Sequence, residues 1–563
     1  MSITATSRPS HTELLCVVAA TLAASLIAIL WSWKNSAFLL YGDAEAHIHI
    51  ARRLFDSHRP GITQLGSVWL PFPHLLLVPF LLIPGWWSSG FGPAIPSAAC
   101  YVLASLGLYR LLRFWVSPAA AAVGLTLFAA NPNLLYLQTT AMTEPLFLCE
   151  LIWSVLLLVE WCSSLDGGKS RRTDRLLWAI IAVLIAAVYT RYDGWILATL
   201  AWAAMAVCLY RRGLLFRKNF ILASVVLLLA PVGWMAYNAV VFGDWLDFMR
   251  GPYSAKAIEL RTASSSVDPH PGWHNPWVAL VYFVKTAELD VAQPAWGEII
   301  FAFAALGTGL LWKGRAQREN LANHESPRNW LWTLLLWLPL PFYAYSVSYG
   351  SVPIFIPVWK PYSWYNTRYG MEMLPALSFF LACAFEAGWA WLNRFRPGTS
   401  RKWLALLFLL LAWNVAAMLR QGPLTYVEAA KNAQARGYYN QVLPQVLSRL
   451  HDLDPNGIVL MDTSTFPSVI PHAGMTYRQT VNESDKQFYW AALGAPADHA
   501  SIVLAFDGDE IDKAVKAHPR HLVVYQRFST PSKGWDQLPV TIYVTDTFPF
   551  PPSARLSTTA TSQ

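Results

Sequence analysis

Long apolar runs alternate with short polar connections along most of the chain. A helix that crosses a bilayer needs about 20 mostly apolar residues. Eleven stretches meet that requirement: 14–33, 94–114, 119–137, 143–162, 176–191, 194–210, 219–241, 297–312, 329–348, 370–392 and 403–419. Their connections supply an internal check, because cytoplasmic loops collect Lys and Arg. One alternate set is basic, with Arg110 and Arg113, then Lys169, Arg171, Arg172 and Arg175, then Arg211, Arg212, Arg217 and Lys218. It continues with Lys313, Arg315, Arg318 and Arg328 and ends with Arg394, Arg396, Arg401 and Lys402. These are expected inside. The other set, 34–93, 138–142, 192–193, 242–296 and 349–369, is aromatic and mixed in charge and is expected outside. Residues 72–84 are apolar but short and hold Pro73, Pro79 and Pro84. A crossing there would invert every later loop, so a re-entrant or interfacial segment is expected. The run 14–33 ends in Trp31 and Trp33 without a small-residue cleavage site, and is expected to stay as the first span.

Beyond 420 the pattern changes to that of an α/β domain. Short apolar runs at 457–462, 501–506 and 521–526 suit buried strands. Residues 509–517 read as a helix with an acidic first turn, which also explains Asp507, Asp509 and Glu510 better than a metal motif does. The fold class expected is mainly α, a polytopic transmembrane helix bundle with a C-terminal extracytoplasmic α/β domain. Its domains are 1–420, 421–552 and a disordered tail, 553–563.

Composition agrees. Of 563 residues 55% are hydrophobic and only 13% are charged, with 28 Trp. Soluble domains carry about 25% charged residues. The net charge of +8 is uneven: from Gln421 onward there are 11 Lys/Arg against 13 Asp/Glu, so the excess belongs to the membrane part. It is a topology signal; a nucleic-acid partner is not expected without a clustered basic face on a soluble module. The six cysteines, Cys16, Cys100, Cys149, Cys162, Cys208 and Cys383, lack metal-ligand spacing.

The first outside loop carries the most chemistry. Asp43 and Glu45 follow the first span directly, and residues 44–56 place Ile48, Ala51 and Phe55 on one helical face with Arg52 and Arg53 elsewhere. That pattern suits an amphipathic helix lying in the interface. Asp43 is then either a helix cap, or a general base that takes a proton from an acceptor hydroxyl, or both. On a helix the two carboxylates diverge by about 200°, so they form no close dyad. Asp43-Ala44-Glu45 in this place resembles the acidic motif of membrane-embedded GT-C glycosyltransferases. The wider sequence is similar to bacterial relatives of protein O-mannosyltransferases and lipid A aminoarabinose transferases. The likeness spans roughly 10–420 and rests also on Gly66 to His74, on Asn131 to Tyr136 with Thr143-Glu144-Pro145, and on Thr190 to Trp195.

The resemblance implies inverting sugar transfer from a polyprenyl-phosphate donor on the outer face of the plasma (inner) membrane. The acceptor is left open among protein, lipid and glycan. Asp43 matches the catalytic base and Glu45 the second acidic position. A divalent metal, Mg or Mn, is possible in such enzymes, with Asp43 and Glu45 as the ligands here if any. A leaving lipid phosphate needs cations, and Arg191, Lys360 and Arg368 are the candidates. Substrate contacts are expected from His47, His74, Glu144, Tyr192, Asp193, Trp364 and Tyr365, with His49 a further interfacial histidine. The rival reading is a transporter or flippase of lipid-linked sugars. Such proteins place ionisable residues near the bilayer midplane, where Glu150 and Glu386 are the exceptions to a set otherwise at the outer rim.

Overall fold

The computed structural model describes residues 9–83, 85–165, 171–262, 269–321, 329–395, 400–464, 466–530 and 538–550. Pro84, Lys169, Arg328, Arg396 and the tail 553–563 lie outside them. The chain divides into two compact units, one formed by residues 1–38, 67–73 and 94–428, the other by 39–66, 74–93 and 429–563.

The first unit is a helix bundle. Among the described residues of the whole chain, ten helical stretches are long and apolar enough to cross a membrane, so this is a multi-pass membrane protein. The first of them, His11–Lys34, begins at a capping box in which Ser10 and Glu13 satisfy each other's backbone. Its patterning is inverted relative to a soluble helix. Leu15, Ile27 and Leu30 are exposed while Thr21, Ser25 and Ser32 are buried. Ser25 donates to Gln138 at 2.9 Å, and Ser32 shares a bond with Thr139 at 2.8 Å. Apolar side chains facing outward and polar ones joining helices inside is the arrangement that a lipid solvent selects.

One expected span is broken. Residues 119–137 form two helices, Pro118–Ala129 and Pro132–Leu137. The side chain of Asn131 accepts from the N–H groups of Asn133 and Leu134, and Pro132 occupies the first helical turn. This cap restarts the helix at a place where hydropathy alone reads continuity. Residues 329–348 also change form, from the 3-10 helix Asn329–Trp337 to the α-helix Pro339–Tyr349. The helix Pro71–Leu81 has 11 residues, about 16 Å of rise, too short to cross. After Ser400–Gln421, Gly422 at φ +86° and Pro423 end the last span, and Leu424–Leu453 follows.

The second unit is built on a five-stranded sheet: β1 Val459–Leu460, β2 Thr480–Val481, β3 Ile502–Phe506, β4 Leu522–Phe528 and β5 Val540–Thr545, in the order β2-β1-β3-β5-β4. β2, β1 and β3 are parallel, and β5 runs antiparallel to β3 and β4. β3 is apolar on both faces because both are covered. Ile502 and Leu504 pack with Tyr439, Leu443 and Leu447 of Leu424–Leu453, whereas Val503 and Ala505 pack with Tyr489, Ile511 and Val515. The expected helix is Glu510–Ala517, capped by Asp509, whose side chain accepts from the Asp512 N–H. Strands expected at 457–462, 501–506 and 521–526 are present; β2 and β5 are additional. The sheet domain also incorporates the segments 39–66 and 74–93 from the connection after the first span, which the sequence assigns to the membrane domain.

Candidate active site

Two groups of polar side chains matter, one in each unit. In the second unit Asp43 and Glu45 lie in the first turn of Gly42–Arg53. Tyr41 is the N-cap residue and gives no side-chain capping bond, so Asp43 is a first-turn residue and not the cap. The helix dipole favours a carboxylate there. Asp43 is half-buried. Glu45 is buried and ion-paired to Nη1 of Arg436, and it accepts from the Ser468 hydroxyl at 3.3 Å. Burial pushes the Glu45 carboxyl above the ordinary range, with Arg436 and Ser468 pulling the other way.

The helix does not present a polar face to water. Arg53 is buried against Glu483 and Thr463, both at 3.0 Å. His47 and His49 are also buried. The expectation of an amphipathic helix lying in the interface is therefore corrected: this helix is packed into the sheet domain by charged contacts on its would-be wet side. His47 Nδ1 and His74 Nε2 share a hydrogen bond of 2.9 Å, which joins two of the expected substrate residues. Burial holds His49 well below its usual pKa, with Arg53 and His472 acting in the same direction. It packs edge-on to Trp87 and Tyr477, as a core residue.

In the first unit the structure gathers Arg191, Arg368, Glu144 and Asp193. Arg191 is the N-cap residue of Tyr192–Tyr210. It pairs with Glu372 at 2.8 Å, Asp193 at 3.2 Å and Glu144 at 3.5 Å. It also donates to Tyr343 at 2.6 Å and Thr143 at 3.0 Å. Arg368 is buried between Glu144 at 3.1 Å and Glu428 at 3.4 Å. Glu372, Glu428 and Tyr343 complete this network and are not among the residues expected from sequence. Asp290 closes it from another side. It is fully buried in the last turn of Pro276–Val291, its carbonyl accepts from Asn131 and Asn133, and its carboxyl is raised by burial and by the charges of Glu428 and Glu144.

The remaining expected residues differ in setting. Tyr192 donates its hydroxyl to the Val68 carbonyl at 2.7 Å. Lys360 is exposed, on a loop where Phe355 and Tyr365 exchange backbone hydrogen bonds of 3.0 and 3.1 Å. Tyr365 is exposed and Trp364 half-buried. Glu150 accepts from Thr190 at 2.8 Å, and Glu386 accepts from the Ser117 backbone at 3.0 Å. Both have structural work. Among the described residues no group of three or more His, Cys, Asp or Glu is arranged to hold a metal ion.

No protein-family model matches the chain, and no curated protein matches it in sequence. Its fold matches the crystal structure of ArnT from Cupriavidus metallidurans bound to undecaprenyl phosphate, with a TM-score of 0.52 at 13% identity, over 96% of this chain and 100% of that one. The archaeal oligosaccharyltransferase AglB from Archaeoglobus fulgidus, in complex with an inhibitory peptide and a dolichol-phosphate, aligns with a TM-score of 0.49 at 13% identity, over 96% of this chain and 75% of that one.

Proposed function

From this chain's GT-C-like membrane fold, with its C-terminal α/β domain, we propose a membrane glycosyltransferase that moves a sugar from a polyprenyl-phosphate carrier to an acceptor hydroxyl at the outer face of the plasma membrane. The observation that carries this reading is Asp43, a half-buried carboxylate in the first turn of a helix that follows the first span and is fixed by buried ion pairs. A rigidly mounted, partly open carboxylate is what a general base needs. The ArnT structure holds a polyprenyl phosphate, which supports the donor class.

In the reaction Asp43 takes the proton of the acceptor hydroxyl. The acceptor oxygen bonds to the anomeric carbon from the face opposite the phosphate. The bond from that carbon to the phosphate oxygen breaks, its electron pair leaves with the lipid phosphate, and the configuration inverts. Cations are needed for that leaving charge. Arg191 and Arg368 are engaged by buried carboxylates, so their role is to hold the bundle's outer polar network together. Lys360, the third candidate cation, is exposed on its loop, and the cation for the donor phosphate is left open. Glu45 does not fit a metal ligand, because its carboxylate is bound to a guanidinium. No step here runs through a metal.

Asp43→Asn is expected to abolish sugar transfer by purified full-length protein while leaving expression and detergent elution as in the wild type. Release of undecaprenyl phosphate from lipid-linked sugars extracted from host membranes gives the measurement. Wild-type release by the variant ends the assignment of Asp43.

A further inference from the structure

The helix that carries Asp43 does not cap itself. Tyr41 provides no side-chain capping bond at its start. The work is done by the helix Leu424–Leu453, nearly 400 residues later in sequence. Asn432 accepts the Gly42 N–H at 2.8 Å. One turn further on, Arg436 donates Nη2 to the Leu40 carbonyl at 3.2 Å and Nη1 to the Glu45 carboxylate. The Gly42 backbone lies so close to this pair that an added Cβ would meet both Arg436 and Asn432 at 3.2 Å. The chain is therefore held before Asp43, at Leu40 and Gly42, and after it, at Glu45. Arg436 and Glu45 are both buried. A buried ion pair of this kind adds little net stability but fixes geometry, because neither charge can be left alone.

We infer that Arg436 and Asn432 are positioning residues that aim the Asp43 carboxylate, and that Glu45, the second acidic member of the motif, is their anchor and not a second catalyst. This rests on the reading of Asp43 as the base. The sheet domain then has a stated part in the reaction: it supplies the clamp on the catalytic turn.

The test measures kcat and KM for the lipid-linked sugar pool extracted from host membranes, using full-length protein that elutes as the wild type. A displacement on the order of 1 Å costs about 10²-fold in rate, so Arg436→Gln is expected to lose about 10²-fold in kcat. Its KM for the donor should stay within about twofold, since donor binding is not what the clamp provides. Glu45→Gln combined with Arg436→Gln leaves no buried unpaired charge and should recover about tenfold over Arg436→Gln alone, the coupling expected of a contacting pair. Wild-type kcat in Arg436→Gln beside an inactive Asp43→Asn overturns the clamp and leaves the base intact; activity in Asp43→Asn removes the base itself. Should Arg436→Gln fail to insert, Asn432→Ala, which strands no charge, carries the test, and an unchanged kcat there overturns the inference.

Discussion

Arg191 shows how a single residue can be singled out from sequence while most of its partners stay hidden. Its place at the start of a span, beside Asp193, marks it as polar and outward. Its three carboxylate partners come from 144, 193 and 372, and only the nearest in sequence was visible as a neighbour. A guanidinium so surrounded fixes the geometry of the helices that meet there. Asp462 supplies a prediction of a different kind. Burial, and then the charge of Glu483, push its carboxyl up to about 7. Asp509 is raised to about 6, again mainly by burial. Groups raised in the folded state bind protons that the unfolded chain has released. Stability should therefore fall as pH rises from the ordinary carboxylate range to about 7 and level off above it. Thermal unfolding midpoints of the detergent-solubilised protein between pH 4.5 and 8 read this out, and Asp462→Asn should flatten the slope. An unchanged slope in that variant would show that Asp462 is not the group responsible.

Helices in lipid approach one another through small residues, and the pair Pro294–Leu321 and Leu374–Phe395 does so at Gly307. A Cβ on Gly307 would sit well inside contact distance of the Phe380 carbonyl, which is backbone and cannot step aside, whereas one on Gly309 meets nothing within 4 Å. Gly307→Ala is expected to cost about 1–3 kcal/mol, the usual penalty of overpacking. Gly309→Ala should be neutral or better, since Ala exceeds Gly in a helix by about 0.5–1 kcal/mol. Thermal midpoints of the two variants side by side make the comparison, and equal losses would place the tight contact elsewhere. At this scale the sequence was highly legible. Length and apolarity identify the long spans because hydrocarbon thickness imposes them. The break at Asn131-Pro132 is less legible, since a cap is two residues of local chemistry inside an apolar run. β2 is two residues long and leaves no period to detect. β5 is another matter: Val540, Ile542 and Val544 recur at period two, as plain a signal as that of β3. The clamp on Glu45 was not legible at all, because its partners lie 391 residues apart and each alone is an ordinary charged residue on a helix.

For the whole molecule, sidedness depends on parity. The basic connections fall on one side only if the broken pair Pro118–Ala129 and Pro132–Leu137 together make a crossing. Pro118–Ala129 alone rises about 18 Å, short of a hydrocarbon core of about 30 Å. Counted as one crossing, the two pieces would put the next basic connection on the side of the first. With that crossing counted among the described residues, eleven crossings are expected, and an odd number predicts a C-terminal end on the side away from the basic connections. The measurement is labelling by a membrane-impermeant maleimide in a chain freed of its native cysteines. Lys516→Cys, at a side chain 68% exposed in the sheet domain, should react in spheroplasts. Arg211→Cys, in a basic connection, should react only after lysis. If Lys516→Cys is silent until lysis while Arg211→Cys reacts at once, Asp43 faces the cytoplasm along with the rest of its unit, and a base for external sugar transfer cannot be there.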